Sequence, residues 1–139
     1  MDLDTLLNKN QKEAATYLDS HLRIIAGAGS GKTRVVTYRI AHLIQDIGID
    51  PRSILAITFT NKAANEMKER VNEIVGIHGS GTLICTIHSL CVRLLRQHIN
   101  VLNYPSNFTI MDEEDQKALI KKLYTQLEID AKVISIKSM

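Results

Sequence analysis

Eight consecutive residues near the start of the chain have the types and spacing needed to bind phosphate. An apolar run at 22–25 precedes them, and they are Ala26, Gly27, Ala28, Gly29, Ser30, Gly31, Lys32 and Thr33. Glycines let successive backbone N–H groups point inward, which makes a concave anion site at the start of a helix. Lys32 adds a mobile positive charge for the β- and γ-phosphates, and the Thr33 hydroxyl is placed to bind Mg²⁺. The motif therefore predicts a site for a nucleoside triphosphate and Mg²⁺.

One position departs from the usual pattern of such a phosphate loop, which begins with glycine. This chain has Ala26 there. The alternative interpretation is a glycine-rich turn between a strand and a helix that binds no ligand. Such turns are common, but they rarely carry Gly-Lys-Thr at this offset, so the nucleotide site is the favoured interpretation.

The composition is that of a soluble, globular protein. The chain has 139 residues, enough for one domain with a real core, and a net charge of +2, which permits a polyanionic partner without requiring one. Cys85 and Cys91 have no further ligands nearby, so both are predicted to be buried apolar residues rather than a zinc site or a disulfide. With no apolar run long enough to span a membrane and an acidic first few residues, we expect a cytoplasmic protein with no membrane partner.

The hydrophobic pattern predicts an α/β protein with a parallel sheet. Three short apolar runs predict strands at 22–26, 54–58 and 82–86. Periodic segments predict helices at 8–18, 32–47, 60–75, 89–100 and 112–127. The second of these helices has its expected apolar face at Val36, Ile40, Leu43 and Ile47. Alternating strands and helices favour right-handed βαβ crossovers, with ligands bound beyond the carboxyl ends of the strands.

Several segments, in the right order, resemble the motifs of superfamily 1A DNA helicases of the UvrD/Rep/PcrA type. Residues 7–11 (LNKNQ) are similar to the Q motif, and residues 26–34 (AGAGSGKTR) match motif I, including its first Ala. Residues 58–64 (TFTNKAA) match motif Ia, and residues 86–89 (TIHS) resemble motif Ib, with Ile87 where Phe is usual. The segment after residue 107 resembles the approach to the inserted helical subdomain. The resemblance implies a RecA-like phosphate-loop NTPase fold of three layers with a parallel sheet, incomplete in this chain.

The same resemblance implies a nucleotide site that extends beyond the phosphate loop. Its residues would be Gln11, Ala26, Gly27, Ala28, Gly29, Ser30, Gly31, Lys32, Thr33 and Arg34, of which Lys32 and Thr33 would be catalytic. An amide donates and accepts at once, so Gln11 would read the adenine edge; the alternative is that Gln11 only completes a capping box with Asn8. Arg34 would stack on the adenine face, or it is simply a solvated helix arginine.

Contacts to single-stranded DNA are implied at the ends of the second and third predicted strands. The residues are Phe59, Thr60, Asn61, Lys62, Thr86 and His88. Phe59 suits base stacking, although most phenylalanines belong to a core. Asn61 and Lys62 at a helix N-terminus suit a DNA phosphate, but Asn61 can also serve only as a cap. His88 is as readily structural as functional.

The whole protein would then be an ATP-dependent 3′-5′ DNA helicase of DNA repair or replication. Its partners would be single-stranded DNA, 3′-tailed duplex DNA and a second RecA-like domain, and it would be associated with the nucleoid. Residues 1–111 would form the N-terminal part of the ATP-binding domain 1A, and residues 112–139 the start of helical subdomain 1B. Because the Walker B carboxylates and arginine fingers are expected outside this chain, we expect weak ATP binding and little turnover.

Two alternatives to a helicase remain open, together with one alternative assignment of acidic residues. Residues 108–113 imitate a Walker B strand that ends in Asp112 and Glu113, but acidic residues are also typical of the first turn of a helix. A small phosphate-loop kinase and a non-catalytic nucleotide-binding module are the other functions. Stimulation by single-stranded DNA would distinguish the helicase from both.

Overall fold

The computed structural model describes residues 1–129, which divide after Arg93 into two compact units. The domain boundary expected near residue 111 stays a prediction. Three short 3₁₀ turns connect the regular elements, at Pro51–Ser53, Gly76–Gly79 and Ile99–Leu102. The helices and strands are α1 (Leu3–Leu6), α2 (Lys9–Thr16), α3 (Lys32–Gln45), β1 (Leu55–Thr58), α4 (Asn61–Val75), β2 (Leu83–Thr86), α5 (Ile87–His98) and α6 (Glu113–Gln126).

Several helix ends lie at residues with local capping signals, although α2 ends at Thr16 rather than near residue 18 and α5 begins at Ile87 rather than near residue 89. Asn8 caps α2, and its capping box with Gln11 is complete in both directions. Thr60 caps α4, which ends at Gly76 with a φ of +65°. Asp112 caps α6 by accepting from the backbone N–H groups of residues 114 and 115 at 2.9 and 2.8 Å. Because these signals act within one turn, the sequence is enough to identify them.

The first predicted strand, at 22–26, is wrong for the part of the chain that the structure describes. Residues 22–26 form no strand and are all exposed, with Ile25 86% exposed. The sheet has two parallel strands, β1 and β2, which pair with each other from Leu55–Leu83 to Thr58–Thr86. A strand needs a neighbour for its backbone hydrogen bonds, and within residues 1–129 no strand pairs with this segment.

The main core of the first unit lies between α3, α4 and one face of the sheet. Its buried members are Ile40, Ala41, Ile44, Ile54, Ala56, Ala64, Met67, Val71, Val75 and Ile84. On the other face of the sheet, Leu55 and Ile57 are about half exposed. The predicted apolar face of α3 is only partly correct, because Val36 is exposed and Ile47 is an exposed residue beyond the end of the helix. Helix α3 is covered on two sides, by α2 and by α4, rather than along one stripe.

A smaller core joins α1 and α2 to the start of α3. It contains Leu3, Leu7, Ala15 and Val35. Arg39 of α3 strengthens this contact, since its Nη1 donates to the carbonyl oxygens of Ala14 (3.1 Å), Ala15 and Tyr17. The last carbonyls of a helix have no partners inside the helix, so the guanidinium satisfies the C-terminal end of α2.

The second unit begins at Leu94 and contains the end of α5 and all of α6. Arg96 donates to the carbonyl oxygen of Ser106 at 2.7 Å and lies 4.3 Å from the centre of the Phe108 ring. Residues 108–111 are not a strand, and the Asp112 carboxylate caps α6, so neither observation supports a Walker B assignment.

Both cysteines are free, but the prediction that both are buried is wrong. Cys85 is partly buried and Cys91 is exposed on α5, a helix in which no residue is buried. Among residues 1–129, no helix has the length and apolar character needed to cross a membrane.

Replacing Arg39 should destabilise the first unit. We expect Arg39→Ala to lower the free energy of unfolding by about 1.5–3 kcal/mol, the usual contribution of hydrogen bonds from a charged donor, because three carbonyls lose their partner. Urea denaturation followed by circular dichroism measures this. Arg52→Ala is the control, because Arg52 is exposed and pairs only with neighbouring Asp50, so its loss should leave the midpoint unchanged. Equal effects of the two variants would contradict the assignment.

A second stability prediction concerns Asp46, which follows α3. The Met1 ammonium group (2.9 Å) and then His42 (2.7 Å) hold the pKa of Asp46 below its ordinary value of 3.8. A carboxyl whose pKa is lower in the folded state stabilises the fold above its unfolded pKa, and that contribution is lost as the pH falls through the folded pKa. We therefore expect the stability cost of Asp46→Asn to be constant above about pH 5 and to shrink as the pH falls below 3.8 in urea titrations. A cost that does not change with pH would contradict this account.

Candidate nucleotide and nucleic-acid sites

The phosphate loop, residues 26–31, leads directly into the first turn of α3. Gly29 and Gly31 have φ values of +73° and +83°, a backbone region that favours glycine, and Gly31 is the N-cap residue of α3. The Ser30 hydroxyl donates to the Gly27 carbonyl at 2.8 Å, which closes the turn. The free N–H groups at the start of α3 therefore face the same region as the loop.

Lys32, the first residue of α3, lies folded back over the loop. Its Nζ donates to the carbonyl oxygens of Ala26 (3.0 Å) and Gly27 (2.6 Å). The next residue, Thr33, is exposed at the same end of the helix. The structure thus brings the ammonium group, the hydroxyl and the helix N-terminus together, as the motif requires.

Two cavities adjoin the loop, and Lys32 lines both. One has a volume of about 260 Å³ and is lined by Gln11, Ala14, Ile24, Ser30 and Lys32, among others. The second is lined by Gly29, Gly31, Lys32, Thr33, Arg34 and Arg70. Arg70 belongs to α4, and sequence reasoning missed it because it looks like any solvated helix arginine. Its position brings a further positive charge to the loop.

Gln11 and Arg34 have partners within the protein. The Gln11 amide completes the capping box of α2 and also donates to the carbonyl oxygen of Ser30 at 3.1 Å. Arg34 donates to the carbonyl oxygen of Leu6 at 2.8 Å and lies 5.6 Å from the centre of the Tyr38 ring. Both side chains therefore lie beside the loop, and both also hold the N-terminal segment against it.

The other candidate residues gather at one edge of the sheet. Thr58 and Thr86 are register partners at the carboxyl ends of β1 and β2, so the two segments that follow begin side by side. Phe59 is 98% exposed, the largest exposure among the bulky apolar residues described. Thr60 accepts from the N–H of Ala63 at 3.2 Å as the cap of α4.

The remaining residues of this edge divide into exposed and buried ones. Asn61, Lys62 and His88 are exposed. Thr86 is buried, and its hydroxyl bonds to the Ser89 hydroxyl (2.9 Å) and accepts from the Ser89 N–H (3.2 Å) at the start of α5. Thr86 thus shapes the edge, while its neighbours are free to contact a ligand.

The residues described offer limited means of holding a metal ion. Within residues 1–129, no group of three or more His, Cys, Asp or Glu side chains is arranged to bind one. Mg²⁺ commonly binds through one or two protein ligands, with substrate phosphates and water completing its shell. The Thr33 hydroxyl fits that mode, in which the ion arrives with a nucleotide.

A glycine-rich loop that opens onto a helix starting with Lys-Thr, in a chain that also has a parallel sheet, is typical of the phosphate-loop class of α/β proteins. Comparison with known proteins narrows the class. The family model for the UvrD/REP helicase N-terminal domain matches residues 7–139, and the chain belongs to that family.

Curated relatives agree with the family assignment. The chain is 48% identical over 126 residues to the ATP-dependent DNA helicase PcrA of Staphylococcus aureus (strain Mu50 / ATCC 700699), a match that covers 91% of this chain and 17% of the relative. Identity and coverage are the same for PcrA of Staphylococcus epidermidis (strain ATCC 12228 / FDA PCI 1200). The chain therefore spans about one sixth of the length of these relatives.

Proposed function

We propose that this chain is the ATP- and single-stranded-DNA-binding part of an ATP-dependent 3′-5′ DNA helicase that acts in DNA repair or replication. The observation that carries the proposal is the phosphate loop at the start of α3, with Lys32 lying over it. The names of the relatives, which are ATP-dependent DNA helicases, support the same reading. A three-layer RecA-like domain would be completed by further chain, and a second such domain would be its partner.

In this proposal the phosphates of ATP bind to the loop N–H groups, Lys32 and Arg70. The Thr33 hydroxyl would hold Mg²⁺, which neutralises charge on the β- and γ-phosphates when bound. Gln11 and Arg34 each line a cavity that adjoins the loop, where a base attached to those phosphates could meet them. These residues bind and orient the nucleotide.

Hydrolysis additionally needs carboxylates that hold the metal ion and position water. Because the family resemblance puts these carboxylates outside this chain, the proposal is that the chain alone binds ATP with little turnover. Nothing in the structure favours a small-molecule kinase or a non-catalytic module over the helicase.

The proposed DNA site is the edge formed by the ends of β1 and β2. Phe59 offers a ring for base stacking, while Asn61 and Lys62 at the N-terminus of α4 offer N–H groups and positive charge to a phosphate. An exposed aromatic ring beside cationic and amide groups is the usual composition of a single-strand site. A DNA substrate implies a location at the nucleoid.

Replacing Lys32 tests the nucleotide site. We expect Lys32→Ala to weaken binding of a fluorescent ATP analogue roughly ten- to 100-fold, because a charge-assisted contact to phosphate is lost. The matched control is Lys68→Ala, which removes an exposed lysine of α4 and should leave affinity unchanged. Unaltered affinity in Lys32→Ala would falsify the assignment. Rapid ATP hydrolysis by this chain, indifferent to oligodeoxythymidine, would favour a small complete enzyme instead.

Replacing Phe59 tests the DNA edge. We expect Phe59→Ala to weaken binding of oligodeoxythymidine about five- to 100-fold, since stacking contributes roughly 1–3 kcal/mol per base. Fluorescence anisotropy measures this. Ile77→Ala is the control, because Ile77 is 84% exposed but lies beyond the other end of α4. If both variants bind as the wild type does, Phe59 does not stack on DNA.

A further inference from the structure

The Gln11 side chain connects three parts of the structure. Its Oε1 accepts from the backbone N–H of Asn8 at 3.1 Å, and its Nε2 donates to the carbonyl oxygen of Ser30 at 3.1 Å. Its own N–H donates to Asn8 Oδ1 at 2.9 Å. The amide therefore joins the first turn of α2 to the phosphate loop, 19 residues further along the chain.

The hydrogen-bond partners of the Gln11 amide determine which of its two positions is the oxygen and which is the nitrogen. The Asn8 N–H can only donate, and the Ser30 carbonyl can only accept. In a flipped amide, the NH₂ group would face the Asn8 N–H and the oxygen would face the Ser30 carbonyl oxygen, so neither hydrogen bond could form. One N–H and one oxygen lone pair of Gln11 remain unused by these bonds. The contact to the loop and recognition of a base therefore do not compete for the same atoms.

Few contacts from other elements hold the phosphate loop in its shape. Residues 22–26, which precede it, are exposed and form no strand. The bonds of Ser30 and Lys32 to Ala26 and Gly27 are internal to the loop and its own helix. Among residues 1–129, Gln11 supplies the side-chain hydrogen bond that ties the loop to an element other than α3.

Gly31 leaves the space that this contact needs. A Cβ atom at position 31 would lie 2.9 Å from Gln11 Nε2, too close for two unbonded atoms. The glycine at this position thus permits both the positive φ of the turn and the approach of the amide.

We propose that Gln11 is a positioning residue for polyphosphate: its bond to the Ser30 carbonyl preshapes the phosphate loop before any base is recognised. A loop already held in its binding shape loses less conformational freedom when the anion binds, so affinity rises. The inference rests on the proposed nucleotide function and extends it, because it gives Gln11 an effect on a ligand that has no base.

The test measures binding of tripolyphosphate with Mg²⁺ to the 139-residue chain by isothermal titration calorimetry. We expect Gln11→Met, which is neutral and similar in length, to weaken tripolyphosphate binding about three- to tenfold, the effect of one lost hydrogen bond. Gln11→Glu is unsuitable because its charge would repel the ligand. If circular dichroism shows that Gln11→Met is unfolded, Gln11→Asn replaces it, since its amide is one methylene too short to reach Ser30.

Asn8→Ala separates the loop contact from the helix cap. It removes the side-chain half of the capping box but keeps the backbone N–H that orients Gln11, so tripolyphosphate affinity should stay near that of the wild type. If Asn8→Ala weakens binding as much as Gln11→Met, the effect comes from α2 itself and the inference is wrong. Unchanged tripolyphosphate affinity in Gln11→Met, with ATP affinity reduced, would mean that Gln11 only reads the base.

The Lys32→Ala variant distinguishes a failure of this inference from a failure of the proposed nucleotide site. If Lys32→Ala does not weaken tripolyphosphate binding, the phosphate site itself is wrongly assigned. If Lys32→Ala weakens it and Gln11→Met does not, the nucleotide site stands and only the positioning role fails.

Discussion

Helix α3 is buried along two sides, and that packing determines where the rest of the first unit lies. On one side Val35 packs against α1 and α2, and on the other Ile40, Ala41 and Ile44 pack against α4 and the sheet. The phosphate loop joins the first residue of α3, so the packing contacts that fix α3 also restrain the end of the loop. Arg39 adds to this restraint, because it fastens the C-terminal end of α2 to the middle of α3.

Helix α4 connects the two candidate sites. Its first residue, Asn61, lies at the edge where β1 and β2 end, and Arg70 lines the cavity beside the phosphate loop. Nine residues of helix span about 13–14 Å, so the two sites are separated by only a few turns. Between these ends, Met67 and Val71 are buried in the core, so the packing of α4 against that core determines the positions of both ends of the helix.

Local signals were predictable from the sequence, and nonlocal pairing was not. The cap expected at Asn8 and the one expected near Thr60 and Asn61 act within one turn, and the structure has Asn8 and Thr60 as the caps. The strand at 22–26 depends on a neighbour that no run of residues specifies, and residues 1–129 do not supply one. The bond from Gln11 to Ser30 likewise spans 19 residues, so spacing could indicate the capping box but not the contact with the loop. Residue spacing also could not predict that Arg70 lies near Lys32, because that depends on how α3 and α4 pack.

The Lys32 ammonium group and several carbonyl oxygens of the phosphate loop are already paired within the protein, and this limits what a ligand must rearrange. Lys32 bonds to two carbonyl oxygens, which are neutral acceptors, whereas a phosphate oxygen is charged and binds an ammonium group more strongly. Exchange of one for the other is therefore favourable, and the Gly27 carbonyl still accepts from the Ser30 hydroxyl when Lys32 leaves it. The bond between Gln11 and Ser30 involves neither the Lys32 ammonium group nor the carbonyls of Ala26 and Gly27. In the proposed nucleotide site, phosphate would therefore displace the flexible Lys32 side chain without breaking that bond.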